Sequence, residues 1–119
     1  YKVPILISDS TKSSLRKEFN LRKLDWIRVK GKEEPVAIYE VLDAYSDEKK
    51  ETLLEFQGVF EKALALYRAK QWDDASNLFL QMVYHAQDSV SVLYIERCRV
   101  FKTNPPDELW DGVWTMQSK

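Results

Sequence analysis

Twenty-five residues in the middle of the chain, Ser46 to Lys70, contain no proline and a single glycine, Gly58. Within them Leu53, Phe56, Phe60, Leu64 and Tyr67 recur at steps of three and four, which is one face of an α-helix. Gln71-Trp72-Asp73-Asp74 reads as a break, with Asp73 placed to cap a second helix striped by Ala75, Leu78, Phe79, Met82 and Val83. Asp88 or Ser89 can cap a third, carrying Val92, Leu93, Ile95, Val100 and Phe101, which Pro105-Pro106 stops. The spacing predicts about three antiparallel helices over 44–104.

The first third has a different period. Val3-Pro4-Ile5-Leu6-Ile7 fits a short buried strand, closed by Ser8-Asp9-Ser10-Thr11. Ser10 to Lys17 fits a short helix with Leu15 toward the core. Leu24-Asp25-Trp26-Ile27-Arg28-Val29-Lys30 is rich in aromatic and β-branched residues. Pro35 to Leu42 alternates, with Val36, Ile38 and Glu40 on one face and Ala37, Tyr39 and Val41 on the other. A turn containing Gly31 joins these two strands into a hairpin. The expected fold is α+β: hairpin, one more strand and a short helix over 1–43, helices over 44–104, and a tryptophan-bearing tail over 105–119. A 43-residue unit barely supports a core alone, so its strands need the helices or further strands to pack against.

Composition narrows the function classes. The chain has 119 residues, 31% of them charged, and a formal net charge of −1, so no global field draws it to nucleic acid or an anionic membrane. It holds no apolar run long enough to span a bilayer. Tyr1 is not Met and no signal pattern follows, so a piece of a longer chain is expected, with any membrane anchor lying upstream. Cys98 is the one cysteine, which rules out an intrachain disulfide and fits a reducing, cytoplasmic location.

Val3-Pro4-Ile5-Leu6-Ile7-Ser8, Phe19, Leu24-Asp25, Val29-Lys30-Gly31-Lys32, Glu34-Pro35-Val36 and Ile38-Tyr39-Glu40, in that order, resemble the end of the class III adenylate/guanylate cyclase catalytic domain. The resemblance covers roughly residues 1–42. Asn104-Pro105-Pro106 and Trp110-Asp111-Gly112-Val113-Trp114 also resemble the ends of multidomain bacterial cyclases. The family resemblance implies a ferredoxin-like domain, a head-to-tail homodimer with the site at its interface, and ATP or GTP as substrate. It implies two Mg or Mn ions held by aspartates, and a 3′-hydroxyl that attacks the α-phosphate. Lys30 matches the family's phosphate-contacting lysine, and Lys32 in the same turn is a second candidate. An ammonium there offsets charge on the departing pyrophosphate, whereas lysines are equally at home in a solvated turn. The metal-binding aspartates and the base-selecting residues would lie upstream. None of Asn20, Asn77 and Asn104 has an arginine four residues on, so the transition-state pair of the family is not found here. The piece alone is expected to make no cyclic nucleotide.

Ala63, Tyr67, Trp72, Ala75 and Phe79 resemble one tetratricopeptide-type hairpin, with Met82 and Gln87 where alanine and proline are usual. One unit falls short of the three that stacked repeats need, so bracing of the cyclase domain is the expected role. His85, alone of its kind, reads as structural, and Cys98 as a small core residue, although Arg97 and Arg99 beside it could lower its pKa. Trp110 and Trp114 could anchor the tail on its own chain or bind a protein partner. A non-catalytic helical interaction module and a degenerate domain that only dimerises stand as alternatives to the cyclase reading.

Overall fold

The computed structural model describes residues 1, 3–14, 19–29 and 34–116. The fold is α+β. In chain order it runs β1 (Leu6–Ser8), α1 (Asp9–Ser14), β2 (Leu21–Val29), β3 (Val36–Val41), a 3-10 turn (Leu42–Ala44), α2 (Asp47–Glu55), α3 (Gln57–Arg68), α4 (Trp72–Ala86), α5 (Ser89–Thr103) and β4 (Trp114–Met116). Two units divide it. One comprises Tyr1–Lys2 and Asp47–Asp111, and the other Val3–Ser46 and Gly112–Lys119.

The sheet unit has strand order β1-β3-β2-β4. β3 lies between two antiparallel neighbours, and β4 joins the far edge parallel to β2. β3 has a neighbour on each edge, and Ala37 to Val41, from both of its faces, are all buried. β2 begins three residues earlier than its aromatic run suggested. Its ladder shifts register between Lys23 and Asp25, a β-bulge that takes up Leu24, a fully buried residue. That extra residue is what spoils the alternation of β2 in the sequence. The expected inward Leu15 lies outside the described residues, and so do Arg16 and Lys17 at the end of the expected first helix.

In the helical unit the first expected helix is two. α2 ends at Glu55, and Phe56, with φ −96 and ψ 12, starts α3. The Phe56 ring stacks on His85 at 4.9 Å and 8°. α3 stops in a Schellman cap. Lys70 takes φ 64, its N–H donates to Tyr67 O, and Gln71 N–H donates to Leu66 O. Gln71, not Asp73, is the N-cap of α4, and Asp73 and Asp74 fill the first turn, where their charge suits the helix dipole. The C-cap of α4, Gln87, is left-handed at φ 50, and the Lys49 ammonium donates to the carbonyls of Ala86 and Gln87 there.

α5 is capped by Asp88, which is buried and accepts from Val90 N–H at 3.3 Å and Ser91 Oγ–H at 2.6 Å. Its buried face is Val90, Ser91, Tyr94, Arg97 and Cys98, while Val92 is 54% exposed. The expected stripe through Val92 is therefore rotated. Aromatic packing sets the face: Tyr94 stacks on Phe79 at 4.8 Å and meets Tyr67 edge-on at 5.0 Å. The Arg97 guanidinium lies over the Tyr94 ring at 5.1 Å, so its aliphatic stem does the work of an apolar residue.

Candidate functional site

Strands β2 and β3 flank the segment that holds the expected site residue Lys30, and their pairing is tightly specified. Its open end is clamped by Asn20, whose N–H and side-chain amide donate to the two Asp43 carboxylate oxygens at 2.7 and 3.2 Å. Leu42 N–H donates back to Asn20 O at 2.8 Å. One step inward, Arg22 and Glu40 face each other across the ladder. Arg22 Nε and a terminal guanidinium nitrogen reach Glu40 Oε1 at 2.9 and 2.8 Å, and Tyr45 Oη–H donates to Glu40 Oε2 at 2.9 Å. The pair is 2% and 0% exposed. Sequence reading placed Glu40 on a strand face and missed this network. The signal available was a glutamate inside a run otherwise apolar, which needs a cation when buried.

On the opposite face of β3, Tyr39 is flanked by two ammonium groups, Lys12 Nζ at 4.6 Å and Lys23 Nζ at 5.9 Å from its ring. Lys23 also lies 4.9 Å from the Trp26 ring. Asp25 is buried and accepts from Trp26 N–H at 2.9 Å, which fixes the strand just past the bulge. The last described rungs are Ile27 with Val36 on β3 and Val29 with Met116 on β4. Lys30 and Lys32 follow directly and lie outside the described residues.

The two tail tryptophans separate. Trp110 belongs to the helical unit, within 5.4 Å of Tyr67, 5.7 Å of Trp72 and 5.3 Å of Phe101. Trp114 begins β4 beside Ile27. His85 is exposed in the last turn of α4, between the Phe56 and Tyr84 rings. Burial pushes the Cys98 thiol up, and the Asp73 charge adds to this. A hydrogen bond with Ser76 opposes the shift without reversing it, so the flanking arginines do not make Cys98 a thiolate. Among the described residues no group of three or more His, Cys, Asp or Glu could hold a metal ion. Among them, too, no helix is long and apolar enough to cross a membrane.

Neither a family model nor a solved structure matches the chain. A Dictyostelium discoideum protein named "Adenylate cyclase, terminal-differentiation specific" is 30% identical over 102 residues. The match takes in 82% of this chain and 5% of that relative. Over that stretch this chain is related to part of a protein named as a cyclase. It spans only about a twentieth of the relative's length. A match over 82% of the chain is more than the first 43 residues could supply, so the similarity continues into the helical unit. Nothing in the comparisons supports the tetratricopeptide likeness or a bacterial source.

Proposed function

We propose that this chain is the C-terminal part of a nucleotidyl cyclase, in which the hairpin presents Lys30 to the nucleotide phosphates. The observation that carries the reading is the similarity to the Dictyostelium relative, which runs through both units. In the intact protein the 3′-oxygen of ATP, in preference to GTP, forms a bond to the α-phosphorus. The bond from that phosphorus to the bridging oxygen of pyrophosphate breaks, and the hydroxyl proton passes to solvent. The Lys30 ammonium offsets the charge gathering on pyrophosphate, with Lys32 assisting. Two Mg or Mn ions, held by residues outside this chain, would acidify the hydroxyl. The active form is a homodimer in the cytoplasm. The metal-holding residues belong to other parts of the intact protein, and the chain by itself is inactive. Incubating the purified chain with ATP and Mn should give no cyclic AMP, while the intact protein does; metal-dependent turnover by the chain alone overturns this division of labour.

One observation favours a second role for the helical unit. Leu80 and Tyr84, one turn apart on α4, are 57% and 83% exposed, and a protein partner docking there is the alternative to pure bracing. Under that reading Tyr84→Ser weakens the association and leaves the fold intact.

A further inference from the structure

Charge is sorted between the two faces of the sheet. Tyr39 lies opposite Ile7 of β1 on one side and Lys23 of β2 on the other. The next position on that face pairs Ala37 with Trp26. The bulge at Leu24 is what brings Lys23 and Trp26, three residues apart, onto one face. Arg28, two residues beyond Trp26, falls on it as well. The acids of these strands, Asp25 and Glu40, fall on the other face, opposite Ile38 and Arg22. Among the described residues of β1, β2 and β3, the Tyr39 face therefore carries basic side chains and no acid.

Lys12 of α1 reaches the same ring. Its ammonium is 4.6 Å and that of Lys23 5.9 Å from the Tyr39 centroid, and Lys23 is also 4.9 Å from Trp26. Both lysines are exposed, whereas Tyr39 beneath them is buried. Among the described residues neither ammonium is ion-paired with a carboxylate. Two like charges gathered at one ring repel, and an anion between them relieves this. Ring contact holds an ammonium without consuming its three N–H donors. It also restricts the side chain beforehand, so less freedom is lost on binding. Lysine offers a compact point charge, suited to phosphate, while the planar fork that grips carboxylates belongs to arginine. The rings lie under the ammoniums, buried in Tyr39 and half-buried in Trp26, and offer little surface for insertion into a bilayer.

We propose that the Lys12–Lys23–Tyr39 face binds a soluble, multiply charged phosphate, such as a di- or triphosphate chain that bridges the two ammoniums. The site shares no residue with the nucleotide reading and stands apart from it.

Calorimetric titration of the whole chain with inorganic triphosphate tests this, with thermal unfolding alongside. The parent should bind saturably and unfold at a higher temperature in its presence. Lys12→Gln and Lys23→Gln should each weaken binding roughly tenfold, and the double variant should lose both responses. Lys62→Gln, an equal loss of charge at an exposed position of α3, should bind as the parent does, and so should Lys30→Ala. Absence of saturable binding by the parent, or parent-like binding by the double variant, overturns the site. Loss of binding in Lys30→Ala with the double variant unaffected also overturns it, and moves the phosphate to the turn. Lysine-dependent retention on phosphatidylserine vesicles without any response to triphosphate overturns the soluble ligand and gives the face to a membrane.

Discussion

Removing one member of the Arg22–Glu40 pair should nearly unfold the sheet unit, and removing both should not. Glu40→Ala leaves a guanidinium at 2% exposure facing a vacated carboxylate position, and removes the carboxylate to which Tyr45 Oη donates. Breaking a buried pair in this way costs about 3–5 kcal/mol. Surface screening does not reduce that figure, because neither partner reaches solvent. Against a typical domain stability of about 5–15 kcal/mol, the loss takes a large share. Replacing both residues, as in Arg22→Met with Glu40→Leu, removes the two charges together and should return stability to within about 1–2 kcal/mol of the parent. Tyr45→Phe, which keeps the ion pair, should cost about 1.5–3 kcal/mol for one hydrogen bond to a charged group. Urea unfolding of the four proteins, followed by far-UV circular dichroism, gives all three differences. A Glu40→Ala variant within about 1 kcal/mol of the parent refutes the argument, as does a double variant no more stable than the single one.

Two further tests address the helical unit. Asp88→Ala should cost about 1–2 kcal/mol, since it removes the N-cap of α5 and leaves Val90 N–H and Ser91 Oγ to find other partners; unchanged thermal unfolding would contradict the cap. Cys98 holds its proton more tightly folded than unfolded. Its contribution is therefore fully present below the unfolded thiol's pKa and is lost as pH rises beyond that value. Stability should decline on the alkaline side less steeply in Cys98→Ala, and a disulfide reagent should label the native thiol slowly at neutral pH. Rapid native labelling would mean that the thiol is accessible.

Much of the architecture was legible because it rests on period. The hairpin, its flanking strand and the helix stripes through Phe60, Tyr67 and Phe79 follow from spacing alone, and all three of these rings are buried. What stayed hidden required knowledge of neighbours. β4 is three residues long and has no pattern of its own; it exists because β2 offers an edge. The bulge at Leu24 is set by the partner strand. The buried face of α5 runs through Val90, Tyr94 and Arg97 rather than through Val92, Leu93 and Ile95, so hydrophobicity alone selects the wrong stripe. Arg22 and Glu40 lie 18 positions apart, and only the ladder register brings them together. The phosphate role proposed for Lys30 comes from a family resemblance, and spacing adds nothing to it.

Lys30 is where the functional account is most exposed to experiment. In the intact protein, initial-rate kinetics with ATP should show kcat/KM lowered by about 10²-fold in Lys30→Ala, the cost of one charge aimed at a developing anion, while hydrogen exchange across β2 and β3 stays as in the parent. Equal kcat/KM for the two proteins would take the hairpin turn out of the nucleotide site.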